Sequence, residues 1–62
     1  MSKLQDDILS FLRASDKGQD MKTIAAGIGS RPETLQRSLL GLEKFGLIAS
    51  KKEGRRKLWR AI

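Results

Sequence analysis

The last twelve residues of the chain, KKEGRRKLWRAI (51–62), contain six Lys or Arg residues and one Glu, a net charge of +5. The first fifty residues contain seven basic and six acidic residues, a net charge of only +1. A positive charge confined to one end of a small fold predicts a polyanionic partner at that end. The run has a second interpretation, in which the charges only solubilise the chain or guard an exposed strand edge.

Residues suited to catalysis or metal binding are scarce. The chain has no Cys and no His, so a disulfide, a reactive thiol and a transition-metal site are not expected. A Ser or Thr nucleophile would lack its usual base. The carboxylates are scattered, and none of them pairs as an acid and a base: Asp6, Asp7, Asp16, Asp20, Glu33 and Glu43. We therefore expect no enzymatic activity and no cofactor.

Sixty-two residues predict a single domain, 1–62, with one small core. The apolar runs are far shorter than a membrane span, and the acidic N-terminal region lacks the apolar core of a secretory signal. We expect no membrane partner. The expected location is the cytoplasm, in association with the nucleoid, or the nucleus if the protein is eukaryotic.

The first predicted helix covers residues 2–15. Ser2 and Gln5 match a capping box, and Gly18 is suited to a left-handed turn after the helix ends. The helical spacing predicts a buried stripe of Leu4, Ile8, Phe11 and Leu12.

A second, short helix is predicted at about 21–28, capped by Asp20 and stopped by Gly29. Gly27 inside it costs about 1 kcal/mol relative to Ala, for which close packing is one explanation. The apolar side of this helix would hold Ile24, Ala25 and Ile28.

A third helix follows at once. Ser30 and Glu33 match a capping box, whereas Pro32 as the first helical residue makes Arg31 the cap, and both starts stay open. Gly46 closes the helix. Its predicted buried stripe is Leu35, Leu39 and Leu42, continued by Phe45.

The remaining residues predict a β-hairpin, with a strand at 47–52, a turn at Glu53-Gly54 and a return strand at 55–62. A two-residue loop would place Ile48 opposite Trp59, and a three-residue loop would shift the register by one. Either Trp59 or Leu58 then faces inward, and alternation leaves both arrangements open.

The segment IAAGIGSRPETLQRSLLGLEKFGLI (24–48) resembles the core of a winged helix-turn-helix domain, and EGRRKLWRAI (53–62) resembles the wing and its returning strand. The residues that match are Ile24, Ala25, Ile28, Gly29, Leu35, Leu39, Leu42, Glu43, Gly46, Leu47 and Ile48. The resemblance implies an α+β fold of three helices with a C-terminal β-hairpin wing. It also implies sequence-specific binding of double-stranded DNA, as in small transcriptional regulators such as those of bacterial fimbrial operons. A homodimer is compatible with it.

In this interpretation the recognition helix, about 31–45, lies in the major groove, and the basic wing, 51–57, lies on the DNA backbone. Gln36 can pair with adenine, and Arg37 with guanine or a phosphate. Leu40 on the same face is interpreted as an ordinary exposed leucine, with a thymine contact or a dimer seam as alternatives. The other predicted contacts are Arg31, Glu33, Thr34 and Lys44 on the helix and Lys51, Lys52, Arg55, Arg56 and Lys57 on the wing.

Two other functions remain. DDILSFL and KLWRAI are similar to the Z-alpha domains, which bind left-handed nucleic acid. Those domains carry Asn and Tyr where this chain has Gln36 and Leu40, and wing prolines where it has Arg56 and Lys57, so only Trp59 matches. The third function is a protein-interaction adaptor of the same fold, which does not need the charged end.

Overall fold

The computed structural model describes residues 2–62 and begins with helix α1, Lys3–Arg13. The predicted capping box forms, because Gln5 N donates to Ser2 Oγ at 3.2 Å and Ser2 N donates to Gln5 Oε1 at 3.1 Å. The inward face of α1 carries Ile8 and Leu12, as predicted, and also Leu9, which the predicted stripe omitted. The other two residues of the stripe are partly buried at the edge of the core: Leu4 and Phe11.

The end of α1 differs from the prediction. The helix ends at Arg13 with Ala14 as a right-handed C-cap, and Gly18 is not among the glycines with positive φ. Gly18 instead lies against the C-terminal strand, where an added Cβ would be 2.9 Å from Leu58 Cβ. Glycine is needed there for space and not for a left-handed backbone.

Helix α2, Met21–Ile28, is capped by Asp20, whose Oδ1 accepts the Thr23 backbone N–H at 2.8 Å. Gly29 ends the helix with a φ of 70°. A Cβ added at Gly27 would overlap the ring of Phe11, so close packing of α1 on α2 accounts for this glycine. The apolar side is as predicted, with Ile24 and Ala25 buried and Ile28 partly buried.

Helix α3, Pro32–Lys44, starts with Pro32 as its first residue and Arg31 as its N-cap. The alternative capping box at Ser30 does not form. Arg31 makes no side-chain capping hydrogen bond, so the first backbone N–H groups of α3 have no acceptor on the N-cap side chain. The predicted buried stripe is confirmed, with no exposure at Leu35, Leu39 and Leu42.

The prediction that Phe45 continues this stripe is wrong. Helix α3 ends at Lys44, Phe45 is its C-cap, and the Phe45 side chain is 72% exposed. Gly46 then turns the chain with a φ of 78°. Phe45 itself keeps right-handed helical backbone angles, and a helix of 3.6 residues per turn places it roughly 90° from the middle of the leucine stripe, at the side of the helix.

Three strands form one antiparallel sheet in the order β1-β3-β2: β1 is Gln19–Asp20, β2 is Ile48–Glu53 and β3 is Arg56–Ala61. The predicted hairpin is therefore present, but the sequence did not predict β1, which pairs with β3 through Gln19 opposite Trp59. With three helices and this sheet, the predicted α+β class is confirmed.

The predicted hairpin register is wrong by two residues. The turn is Gly54-Arg55 instead of Glu53-Gly54, and Trp59 therefore lies opposite Ser50 instead of Ile48. Gly54 has a φ of 65° at the first loop position, the conformation that a type II′ hairpin turn places there. A shift of two keeps every side chain on its face. Trp59 faces the core at 2% exposure, and Leu58 faces away.

Candidate nucleic-acid interface

The predicted contact residues all lie at the surface, on α3 and on the hairpin of β2 and β3, residues 48–61, called the wing below. The core takes the apolar side of both elements, which leaves the charged side to solvent. Those on α3 and its N-cap are Arg31, Glu33, Thr34, Gln36, Arg37 and Lys44, and those on the wing are Lys51, Lys52, Arg55, Arg56 and Lys57.

The solvent face of α3 has two parts. With Leu35 and Leu39 buried, the helical period places Glu33, Arg37 and Lys44 directly opposite the core. The flank nearer the wing carries Gln36 and Leu40, because Glu43 on the same flank contacts β2. Gln36 therefore lies between the outward stripe and the wing, whereas Arg37, the other side chain predicted to read a base, lies on the outward stripe itself.

The N-terminus of α3 combines free donors with one acidic residue. Uncapped N–H groups and the positive end of the helix dipole favour a phosphate near Arg31 and Thr34. Glu33 lies in the first turn, and its negative charge opposes a phosphate at the same place. A carboxylate can instead accept a hydrogen bond from the exocyclic amine of cytosine.

The wing concentrates positive charge at a cost to its own stability. Lys52 and Lys57 are directly opposite each other, and like charges in that position destabilise a sheet. Lys57 Nζ lies 4.6 Å from the centroid of the Trp59 ring, so this ammonium group covers the buried indole through a cation–π contact. Arg55 occupies the exposed turn at the tip.

Arg56 of the wing has an acidic protein partner. Arg56 Nη1 lies 3.5 Å from Asp20 Oδ2, and the two side chains are 67% and 23% exposed. The pKa of Asp20 is lowered, chiefly by hydrogen bonds from the backbone N–H and then the side chain of Thr23. Partial burial acts in the opposite direction, and the positive charges of Arg56 and Lys22 lower the pKa further. A phosphate at Arg56 would compete with Asp20.

A second contact fixes the wing relative to α3. Ser50 Oγ on β2 donates to Glu43 Oε2 at 2.5 Å in a partly buried position. Neither this pair nor a role of Asp20 beyond its helix cap was predicted from the sequence. In the sequence, Glu43 was one of the scattered carboxylates and one of the residues that match the winged helix-turn-helix pattern, but its partner depends on the hairpin register, which was predicted wrongly.

Other kinds of site are not found in the described part of the chain. Among residues 2–62, no group of three His, Cys, Asp or Glu side chains is placed to hold a metal ion. Within the same residues, no helix has the length and apolar character needed to cross a membrane.

The architecture is that of the winged helix-turn-helix domains, with α2 and α3 as the helix-turn-helix and residues 48–61 as the wing. No protein-family model matches the sequence, and no curated protein matches it significantly. Solved structures do match. The PcaV transcriptional regulator of Streptomyces coelicolor superposes with a TM-score of 0.92 at 26% identity, over 100% of this chain and 45% of PcaV.

Two further structures have the same domain. A mutant of MepR from S. aureus, bound to an oligodeoxyribonucleotide, matches with a TM-score of 0.92 at 24% identity, over 100% of this chain and 48% of MepR. The homodimeric winged helix-turn-helix DNA-binding domain of Mb0332 from Mycobacterium bovis matches with a TM-score of 0.83 at 26% identity, over 94% of this chain and 52% of that one. The chain thus spans about half the length of the regulators it resembles.

The fold also occurs inside an enzyme. Human N-acetylserotonin methyltransferase contains a similar segment, with a TM-score of 0.84 at 15% identity, which corresponds to 95% of this chain and 17% of the methyltransferase. Most of the similar structures are nevertheless transcriptional regulators. The predicted winged helix-turn-helix fold is confirmed.

Proposed function

We propose that this domain binds double-stranded DNA with sequence preference and serves as the DNA-binding part of a transcriptional regulator. Helix α3 would enter the major groove, where Gln36 and Arg37 read base edges. The wing would follow the backbone with Lys51, Lys52 and Arg55, which carry affinity but no sequence information. The domain itself would have no catalytic role.

The observation that carries the proposal is the pairing of Lys52 with Lys57 directly across the wing. Free in solution, this arrangement costs stability. A polyanion would relieve the repulsion, and the neighbouring surface of α3 presents Arg37, Lys44 and a helix N-terminus without a side-chain cap. Phosphates spaced along a duplex fit such a surface better than a single small anion does.

The two alternative functions have weaker support. A Z-alpha-like contact would use an aromatic ring on the wing, but Trp59 is 2% exposed and its ring is covered by Lys57. A protein-interaction adaptor has no need of like charges across the wing. The DNA-bound state of MepR and the name of the Mb0332 domain support the duplex instead.

Selection from a random duplex DNA pool tests the proposal. We expect a defined sequence to be enriched, and the protein to prefer it over heparin and over an alternating CG duplex held in the left-handed form. No enrichment, together with equal affinity for heparin, would contradict the proposal. Preference for the left-handed duplex would favour the Z-alpha-like function.

The assembly and location follow from the same proposal. The Mb0332 domain is homodimeric, which supports a homodimer for this protein and a DNA site with two related halves. Sedimentation with and without the selected duplex would measure the stoichiometry. A regulator of this kind would act where the DNA is, which in a bacterium is the cytoplasm.

A further inference from the structure

Leu40 is the exposed leucine of α3. Its side chain is 48% exposed, whereas Leu35, Leu39 and Leu42 on the same helix have no exposure. It lies one turn after Gln36, on the flank of α3 that faces the wing, with Arg37 and Lys44 beside it. An apolar side chain thus stands within the polar and basic surface proposed to enter the major groove.

The charges around Leu40 indicate what covers it. A second copy of the chain packed isologously at this face would bring each Arg37 and Lys44 close to the same residues of the other copy. The chain already has a net charge of +6, so such a contact would bury repulsion. A duplex brings the opposite charge and also offers an apolar group, the 5-methyl of thymine, at the edge of the major groove.

We propose that Leu40 contacts the 5-methyl group of a thymine and selects thymine at one position of the DNA site. The inference rests on the proposed function. Residues four apart on a helix are separated by about 6 Å along its axis, so two such side chains of a helix in the major groove reach neighbouring base pairs. The thymine should therefore lie one or two base pairs from the base that Gln36 reads.

Replacing thymine by deoxyuridine removes only the methyl group and tests the contact directly. Starting from the selected duplex, each thymine is replaced in turn and the affinity is measured by fluorescence anisotropy. For the wild-type protein, one replacement should weaken binding about three- to fivefold, the effect of one buried methyl group. For Leu40→Ala, the thymine and deoxyuridine duplexes should bind equally at that position.

Two variants complete the experiment. Leu40→Met keeps an apolar side chain and should keep the thymine preference. Phe45→Ala removes a side chain that is 72% exposed but lies at the end of α3, and it should also leave the preference unchanged. Because Leu40 is exposed and Ala favours helices, Leu40→Ala should fold, which circular dichroism would verify.

The outcomes separate this inference from the proposed function. The contact is disproved, while DNA binding stands, if the wild-type protein binds its site with the same affinity whichever thymine is replaced by deoxyuridine. It is also disproved if Leu40→Ala still binds the thymine duplex more tightly than the deoxyuridine duplex. A change in sedimentation of Leu40→Ala without DNA would overturn it in favour of a dimer seam. No binding to any duplex would overturn both.

Discussion

Asp20 and Arg56 join the start of α2 to the first residue of β3, next to the turn of the wing, although 36 positions separate them in the sequence. Asp20 Oδ2 lies 3.5 Å from Arg56 Nη1, while Asp20 Oδ1 accepts the Thr23 backbone N–H at 2.8 Å. One carboxylate thus caps a helix of the helix-turn-helix and holds the returning strand of the wing. The wing is thereby positioned by the domain that presents α3.

Substitution of Asp20 should separate its two contacts. Asp20→Ala removes both and should lower the melting temperature more than Asp20→Asn, since Asn is also a good N-cap but carries no charge. The control is Asp16→Asn, at an exposed acid outside both contacts, which should change little. Equal melting temperatures for Asp20→Ala and Asp20→Asn would mean that the cap contributes nothing.

The same residue makes stability depend on pH in acid. The pKa of Asp20 in the folded state is below its ordinary value of 3.8, so the ionised form favours folding. This contribution is complete above the unfolded pKa and is lost as the pH falls through the lower folded pKa. The difference in melting temperature between wild type and Asp20→Asn should therefore be constant near neutral pH and shrink below about pH 3.8. Thermal unfolding followed across this range would measure it.

Two helical glycines should respond oppositely to alanine. A Cβ at Gly27 overlaps the Phe11 ring, whereas a Cβ at Gly41 would lie 3.5 Å from Gln5 Nε2, an ordinary contact. Alanine gains about 1 kcal/mol in a helix over glycine, but overpacking costs about 1–3 kcal/mol. Gly41→Ala should therefore stabilise the domain and Gly27→Ala should destabilise it by about 1 kcal/mol in urea unfolding. Phe11→Leu combined with Gly27→Ala should restore the loss, and failure to do so would contradict the packing explanation.

Lys52→Glu should change stability and DNA affinity in opposite directions. Residue 52 would then carry a negative charge directly opposite the positive charge of Lys57, and this pair of opposite charges should stabilise the free domain by about 0.2–1 kcal/mol. The substitution also removes a phosphate contact, so affinity for any duplex should fall roughly tenfold. Lys17→Glu, in the loop before β1, makes the same change in net charge and should do neither. Equal loss of affinity in both variants would show that only the total charge matters.

The sequence predicted the parts of the fold that follow a repeating spacing. The three-leucine stripe of α3 and the cap at Asp20 were confirmed because helical period and cap chemistry are local. Strand β1 has two residues, too few for any alternation to show. The hairpin turn was misplaced because Gly54 suits either position of a two-residue loop, with turn types that differ. Trp59 still faces inward, since a shift of two preserves the face.

The residues of the candidate site were also predictable only in part. Exposed basic residues on α3 and the wing were predictable from where the apolar stripe left them. The contacts that position the wing, Asp20 with Arg56 and Glu43 with Ser50, cross between elements and depend on the strand pairing. No spacing within one element reveals them. Phe45 shows a different failure, because its spacing of three from Leu42 was taken to mean burial, although this position lies at the side of the leucine stripe.

The solvent face of α3 and the wing should have separable effects on DNA recognition. Gln36→Ala or Arg37→Ala should cost about 1–3 kcal/mol on the selected duplex and little on unrelated duplexes, because base contacts carry sequence information. Arg55→Ala at the wing tip should weaken binding to all duplexes about equally. Anisotropy titrations of each variant against the selected duplex and a shuffled one would test both. If Gln36→Ala and Arg37→Ala weaken binding to the two duplexes to the same extent, α3 reads no bases.

The salt dependence of DNA binding tests the central claim most directly. If α3 and the wing neutralise about five phosphates, log K should fall with log salt at a slope of roughly −4 to −5, through release of counterions. Lys52→Gln combined with Arg55→Gln should reduce the magnitude of this slope by about two. A slope near zero in the wild-type protein, or an unchanged slope in the double variant, would contradict a role for the wing as a phosphate-binding surface.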